Sequence, residues 1–237
     1  MEGRPVRMLS LAIAVTIALA IVSLFIGVSN ISLPGLLSAS PEDRPMQVLL
    51  ISRIPRTLAI ILSGNAMAVA GLVMQMIVRN RFVEPSTAGT TESASLGFLV
   101  ATLVVPGWPL MGKMLIAAGF ALAGMGRDFT TNLGLNYQRV MVLGLVIVSL
   151  VSATVLVTAG SIPFLGLIIP NLVSLMVGDN MRRTVPWVVV MGAGFVLACD
   201  ILGRIIRFPY EIPISVVVGV IGSAVFLYLL LRTRRHA

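Results

Sequence analysis

Long apolar runs alternate with short polar segments along the whole of this 237-residue chain. The hydrocarbon core of a bilayer is about 30 Å thick, and about 20 apolar helical residues are needed to cross it. On that length scale the pattern predicts eight membrane-spanning helices. They are expected at 8–28, 56–78, 88–105, 109–125, 140–159, 162–177, 186–206 and 212–231. The predicted fold class is therefore all-α, a polytopic transmembrane helix bundle that forms one domain over residues 1–237.

Composition supports this class and excludes several others. Of all residues, 57% are hydrophobic and 11% are charged, and a soluble core of this size could not bury so much apolar surface. The single Cys199 excludes a disulfide framework, and the single His236 leaves no histidine cluster for a metal or for catalysis. The sequence also has no GxxxxGK[ST] phosphate loop. We therefore expect a non-enzymatic chain with no bound metal, no cofactor and no nucleic-acid partner.

Basic residues at the ends of the apolar runs predict the orientation. With the N-terminus in the cytoplasm, eleven of the 17 basic residues lie inside and six outside, as the positive-inside rule requires. The inside set is Arg4, Arg7, Arg79, Arg81, Arg127, Arg139, Arg182, Arg183, Arg232, Arg234 and Arg235, and the outside set is Arg44, Arg53, Arg56, Lys113, Arg204 and Arg207. Both termini are then cytoplasmic. The first run resembles a signal peptide but lacks a small-residue cleavage site, so we expect it to be retained.

Gly126 to Arg139 (GRDFTTNLGLNYQR) is a compact polar segment between two long apolar runs. Asp128 can cap a short helix, and Gly134 can take the left-handed conformation that ends one. Asn136 can then cap the helix that follows. Such a short helix, joined directly to a span on the cytoplasmic side, favours a protein contact site. An ordinary solvated loop is the alternative that the spacing leaves open.

Two of the predicted spans are poor simple anchors. The third opens with small and polar residues at 87–95, and the sixth has Pro163 and Pro170 inside or beside it. Irregular backbone and polar side chains at membrane depth need other protein or a water-filled cavity, and transporters place substrate paths there. Close helix packing through Gly, Ala, Ser and Thr is the alternative. Glu84 with Pro85 is expected to shape the turn before the third span.

Five blocks of sequence occur in an order that resembles one family. They are RIPRTLAIILSGNAMAVAGLVMQ (53–75), RNRFVEPSTAGTTESASLG (79–97), NLGLNYQRV (132–140), GSIPFLGLIIPNLVSLMVGDNMRR (160–183) and EIPISVVVGVIGS (211–223). Together they resemble the permease subunits of binding-protein-dependent ABC importers for ferric siderophores, haem and vitamin B12. The wording of FVEPSTAGT and IIPNLVSLMVGDN is most similar to permeases for catecholate-type siderophores of the petrobactin, anguibactin and enterobactin kind.

The resemblance implies the type II ABC importer permease fold in the cytoplasmic (inner) membrane of a bacterium. Its implied partners are membrane lipid, a second permease copy or a sister permease, a soluble or lipid-anchored substrate-binding protein, and an ABC ATPase subunit that holds ATP and Mg. The implied substrate is a ferric siderophore. The family's coupling helix, which sits in a groove of the ATPase, matches 126–139. The matching residues are Gly126, Arg127, Asp128, Phe129, Asn132, Leu133, Gly134, Leu135 and Arg139.

The resemblance also assigns two further sets of residues. The arginines that dock acidic residues of the binding protein are Arg53, Arg56, Arg204 and Arg207, and the planar fork of arginine suits a carboxylate partner. For Arg204 the alternative is an ion pair with Asp200, four residues earlier on the same helical face. The substrate path is expected among Asn65, Gln75, Thr87, Thr90, Thr91 and Glu92. An acid at membrane depth, such as Glu92, is costly unless it is paired or wetted.

In one respect the chain departs from the family. Resembling permeases usually have ten spans with the coupling segment after the sixth, whereas here the fourth span runs directly into it. About 80 residues, by a measure of ~20 residues per span plus loops, are expected to be missing near residues 120–126. Two alternatives to a working importer permease therefore stay open. One is a truncated relative that does not transport, and the other is an ion-coupled secondary transporter, for which only Glu92 and Asp200 would supply a charge relay.

Overall fold

The computed structural model describes residues 3–27, 43–124, 137–178 and 180–234, and these ranges are built mainly from helices. The helices are α1 (Gly3–Phe25), α2 (Arg44–Val78), α3 (Thr90–Val104), α4 (Leu110–Gly124), α5 (Tyr137–Ala159), α6 (Leu165–Val177), α7 (Met181–Ile205) and α8 (Ile214–Arg234). Each of them overlaps one of the eight predicted spans. The prediction of an all-α helix bundle is therefore confirmed.

The helices differ in length. By length and composition, α1, α2, α5 and α7 can each cross a membrane, and α8 has 21 residues, whereas α3, α4 and α6 are shorter. Helix α6 has 13 residues, or about 20 Å at 1.5 Å per residue. It is too short to cross a hydrocarbon core of about 30 Å by itself. Its ends must therefore be satisfied by neighbouring parts of the bundle.

Helix α2 begins twelve residues before the predicted span, at Arg44 rather than at residue 56. A wide π turn over Leu49–Arg53 separates an initial helical segment from Ile54–Val78. The reason lies in Pro55, which has no N–H to donate to the carbonyl four residues earlier. A π turn immediately before the proline lets the helix continue through this defect. The extension places Arg53 and Arg56 within a helix, where the sequence had predicted the edge of a span.

Helix α2 lies at the centre of the bundle and packs against α5, α6 and α7. Its crossings with α7 and α6 are made by facing glycines. A Cβ placed on Gly64 would lie 2.6 Å from the carbonyl oxygen of Gly192, and one placed on Gly166 would lie 2.9 Å from the Cα of Gly71. Backbones can approach this closely only through small residues. The close packing expected as one alternative for the small residues is therefore present at these two crossings.

The apolar core surrounds these crossings. It includes side chains from α2, α6 and α7 that are at most 2% exposed, such as Met67, Leu165, Ile168, Val188 and Leu197. Helices α3 and α4 form a hairpin that packs on α5 through buried alanines, including Ala94, Ala117 and Ala153. After α5 the chain turns at Gly160 and Phe164, both with positive φ, and α6 starts beside the second half of α2, near Met67 and Gly71.

Candidate functional site

A cluster of charged side chains joins α2, α7 and the segment before α8. We call Arg53, Arg56, Asp200, Arg204 and Glu211 the charge cluster. The Arg56 guanidinium donates to Glu211 Oε2 at 2.6 Å and to Asp200 Oδ1 at 3.1 Å. The other oxygen of Asp200 pairs with Arg204 one helical turn later on α7. Asp200 is 1% exposed while the side chain of Arg56 is 40% exposed, so the cluster runs from the interior to the surface.

Two arginines of the charge cluster hold the end of α1. Arg204 Nη1 donates to the carbonyl oxygens of Ser23 and Ile26, each at 3.1 Å, and Arg53 Nη1 also donates to that of Ile26. The last carbonyls of a helix lack intrahelical donors, and cations stabilise them through the helix dipole as well. Ser23 and Thr57 add a contact between their hydroxyls at 3.4 Å. The cluster therefore fastens α1 to α2 and α7.

The four arginines predicted to dock a binding protein divide into two pairs. Arg53 and Arg204 are buried, with 6% and 4% exposure. The other pair reaches the surface: the side chain of Arg56 is 40% exposed, and Arg207 is exposed and lies over the ring of Tyr210 at 5.9 Å. The alternative for Arg204, an ion pair with Asp200, is confirmed. The partnership of Arg56 with Glu211 was missed, because these residues are 155 positions apart and no local pattern connects them.

A cavity of about 740 Å³ opens beside the charge cluster. Arg56 and Glu211 line it, together with residues at the end of α5 and the start of α8. A more apolar groove of about 560 Å³ runs between α2 and α5 and shares Pro55, Ala59 and Thr158 with this cavity. We call them the cluster cavity and the α2–α5 groove. Together they form a concave surface with charge at one end and an apolar lining beyond.

At the other end of α2, a buried carboxylate meets the first turn of α6. Glu84 is fully buried, and its Oε1 accepts from the amide of Phe164 at 2.8 Å while its Oε2 accepts from that of Leu167 at 3.1 Å. The hydroxyl of Ser86 donates to the same carboxylate. Burial raises the pKa of the Glu84 carboxyl, and these hydrogen bonds act in the opposite direction. Glu84 therefore caps α6 from a different part of the chain.

A second contact compensates for the proline inside α6. Pro170 has no N–H, so the carbonyl of Gly166, four residues earlier, has no intrahelical donor. The Nε2 of Gln75, on α2, donates to that carbonyl at 3.0 Å. We call Gln75, Glu84, residues 164–167 and Pro170 the Glu84 joint. The sequence predicted Glu84 as a turn residue and Gln75 as part of a substrate path, but not their shared contact with α6.

Further contacts continue from the Glu84 joint along the connection between α2 and α3. Asn171 Nδ2 donates to the carbonyl of Arg81 at 2.8 Å, and Arg81 Nη1 donates to Ser174 Oγ at 3.4 Å. These residues, with Gln75 and Arg79, line a cavity of about 380 Å³, the joint cavity. Phe226 of α8 stacks on Phe164 and meets Phe82 edge to face. The connection is thus attached to both α6 and α8.

The six residues expected on the substrate path do not gather at one place. Gln75 lines the joint cavity, and the other five line neither it, the cluster cavity nor the α2–α5 groove. Thr87 and Thr90 bond to backbone oxygens of Glu84 and Pro85, and Glu92 is exposed. Within the described residues, Asn65 Oδ1 and Thr91 Oγ1 are buried without a hydrogen-bond partner. Each of these two oxygens can still accept a hydrogen bond from water or from a ligand.

The segment predicted to couple to an ATPase lies almost entirely outside the described residues. This holds for Gly126, Arg127, Asp128, Phe129, Asn132, Leu133, Gly134 and Leu135. Arg139 is in the first turn of α5, and its side chain lies outside the description as well. In the part of the chain that is described, no three His, Cys, Asp or Glu side chains are grouped so as to hold a metal ion.

A bundle of apolar helices with a charged cavity at one end and a polar joint at the other defines a membrane protein of the transporter class. The sequence matches the model of the FecCD transport family over residues 15–126 and 111–232. The chain belongs to this family.

Three curated relatives illustrate the similarity. The petrobactin import system permease protein YclN of Bacillus subtilis is 36% identical, over 93% of this chain and 97% of the relative. The petrobactin import system permease protein FatD of Bacillus anthracis is 34% identical, over 95% and 91%. The ferric-anguibactin transport system permease protein FatD of Vibrio anguillarum is 30% identical, over 89% and 94%. The predicted family is confirmed.

One solved structure shares the fold. It is described as an inward-facing conformation of a metal-chelate type ABC transporter, and it superposes with a TM-score of 0.77 at 22% identity, over 96% of this chain and 99% of that chain. The alignment with YclN spans 308 positions. Since 93% of 237 residues is about 220, roughly 88 positions of that alignment have no counterpart in this chain.

Proposed function

We propose that this chain is the membrane-spanning permease subunit of an ABC transporter that imports a ferric siderophore across the cytoplasmic membrane of a bacterium. The observation that carries the proposal is the family match across nearly the whole chain, together with relatives whose names specify petrobactin and ferric-anguibactin. A siderophore chelates its iron already, so the permease needs no metal ligands of its own. The substrate class is a ferric catecholate-type chelate.

The partners follow from this role. A separate ATPase subunit binds ATP and Mg and engages the segment 126–139 from the cytoplasm. A substrate-binding protein delivers the chelate from outside, and a second permease copy or a sister permease completes the pathway. The arginine distribution supports this orientation, because it places both termini and 126–139 on the cytoplasmic side. The charge cluster then faces the binding protein.

Docking of the binding protein is assigned to Arg56 and Arg207, whose side chains reach the surface. Arg53 and Arg204 are buried against the end of α1 and support this surface from below. Docked acids would face an excess of positive charge, because the charge cluster holds three arginines and two acids. Long-range attraction of this kind accelerates encounter and weakens with salt. The cluster cavity and the α2–α5 groove are the proposed entry for the chelate.

A second candidate is a truncated relative that inserts but does not transport. It is favoured by the roughly 88 alignment positions without a counterpart. The two segments matched by the family model overlap at residues 111–126, which supports a deletion close to 120–126. Loss of two helices would remove part of the wall of any pathway through the bundle. A working importer permease takes up the ferric siderophore, whereas the truncated relative does not.

The test is ATP-dependent uptake of labelled ferric siderophore into vesicles that contain this chain with its ATPase and binding protein. A version with two spans inserted near residues 120–126 serves as the matched comparison. Uptake by the short chain, lost when ATP is omitted, is the expected result. Uptake only by the longer version would favour the truncated relative. Absence of uptake by both would overturn the importer proposal.

A further inference from the structure

We propose that Glu84 and Gln75 are positioning residues that unite α2, the connection 79–89 and α6 into one rigid body, and that transport depends on this union. The inference rests on the proposed function for its transport consequence only. Its structural part concerns how the short helix α6 is held. Neither residue needs to touch the substrate for this role.

Helix α6 cannot satisfy its own backbone. The first four N–H groups of any helix lack intrahelical acceptors, and Glu84 accepts from two amides of this first turn. Pro170 leaves the carbonyl of Gly166 without a donor, and Gln75 supplies it. A 13-residue helix is also close to the length at which isolated helices are only marginally stable. The geometry of α6 is therefore decided by residues of α2 and its connection.

The attachment also extends along α6. Beyond the Glu84 joint, Asn171 bonds to the backbone of Arg81, and Ser174 accepts from its side chain. At the crossing of α2 and α6, a Cβ on Gly71 would overlap the backbone of Gly166. Interfaces packed this tightly do not slide gradually, because any shear requires backbone atoms to overlap. Helix α6 and α2 must then move together or separate.

This rigid body connects two places that matter for the proposed function. Helix α5 begins at Tyr137, inside the segment 126–139, and is joined to α6 by five residues, 160–164. Helix α2 carries Arg53 and Arg56 of the charge cluster at its other end. A displacement of α5 can therefore reach the charge cluster by two routes, through its direct packing on α2 and through α6 and α2. The Glu84 joint is the point in the second route at which contact between distant parts of the chain replaces covalent connection.

The first variant is Glu84→Gln, in a background in which Cys199, the one cysteine of the sequence, is replaced by alanine. A glutamine amide can accept from only one side, so one of the two backbone N–H groups loses its carboxylate acceptor and faces an NH2 group instead. We expect uptake to fall about tenfold. Gln75→Met, which keeps the volume but removes the donor, should lower uptake less. The matched control is Asp43→Asn, an exposed acid at the start of α2, which should leave uptake unchanged.

The decisive experiment restores the attachment between α6 and the connection 79–89 with a chemical cross-link. Arg81 is exposed and Ser174 is half-buried, with 3.4 Å between their hydrogen-bonding atoms, so Arg81→Cys with Ser174→Cys can be bridged by a short bifunctional methanethiosulfonate. We expect the bridge to leave uptake by the parent unchanged and to restore uptake by Glu84→Gln. A residue that relays protons or contacts substrate would not be replaced by such a bridge. A fall in uptake that persists after complete bridging would overturn the proposal.

The rate of bridging in detergent separates this inference from the transport function. Glu84→Gln should slow the reaction between the cysteines at 81 and 174, whereas Asp43→Asn should not. An unchanged rate would refute the joint as a positioning device, whatever the uptake data show. If the parent fails to transport but Glu84→Gln slows bridging, the structural part of the inference stands, and the longer version decides between the truncated relative and failure of the importer proposal.

Discussion

The charge cluster and the Glu84 joint lie at opposite ends of α2 and differ in the kind of contact they make. In the charge cluster, long arginine side chains share two acids, and Arg56 is 40% exposed. In the Glu84 joint, a fully buried carboxylate and an amide bind backbone groups at the start of a short, proline-containing helix. Exposed ions can exchange partners at little cost, whereas buried backbone groups cannot lose theirs cheaply. The charge cluster is therefore suited to the exchange of ion-pair partners, and the Glu84 joint is suited to a permanent attachment between helices.

The charge cluster itself has a buried side. Asp200 and Arg204 are at most 4% exposed, and they resemble the Glu84 joint in burial although they are ions. Mutations should therefore rank by burial and by what they leave unpaired rather than by charge.

Asp200→Asn should have the largest effect on stability. It removes the negative charge between Arg204 and Arg56 and leaves a buried guanidinium without its counterion, at a cost of about 3–5 kcal/mol. Thermal unfolding of the purified protein in detergent measures the change. Asp200→Asn combined with Arg204→Met should be less damaging than the single change. A single variant as stable as the parent would show that the ion pair is not what holds α1 and α7 together.

Gly71→Ala should come next, with a loss of about 1–3 kcal/mol, because the added methyl group overlaps the backbone of Gly166. Gly119→Ala is the matched control. A Cβ at that position meets no atom within 4 Å, and alanine favours a helix more than glycine does. Thermal unfolding of the two variants should therefore change in opposite directions. Equal behaviour would mean that the α2–α6 crossing has room to adjust.

Arg56→Gln should have the smallest effect on stability, at most about 1 kcal/mol, because Arg56 is half-exposed and its ion pairs are partly screened by solvent. Its expected effect is on docking instead. Binding of the substrate-binding protein to the permease in detergent discs should weaken, and the dependence of that binding on salt should become shallower. Unchanged affinity together with a large loss of stability would reverse the proposed contrast between the two ends of α2.

Much of the fold was accessible from local sequence patterns. Apolar runs of the length of a bilayer predicted eight helices, and each of them exists in the described residues, although α3, α4 and α6 are shorter than a full span. The pairing of Asp200 with Arg204 was also accessible as an alternative, because residues four positions apart on a helix are always neighbours. The start of α2 was not, since the apolar run predicted a span only from residue 56, and the π turn that accommodates Pro55 has no simple sequence signal.

The class of protein, its helices and its family could be predicted from the amino-acid sequence, because they depend on composition, on short-range periodicity and on the order of motifs. Which polar residues meet depends on the folded arrangement of the helices. Arg56 with Glu211, Glu84 with the first turn of α6, and Gln75 with the carbonyl of Gly166 join positions 155, 80 or more, and 91 residues apart. A hydrogen bond needs its two atoms to be about 3 Å apart in space. It does not depend on how far apart the two residues are along the chain. For that reason, an arginine predicted at the surface, Arg53, lies inside the bundle, and a glutamine predicted on a substrate path supports a proline-containing helix.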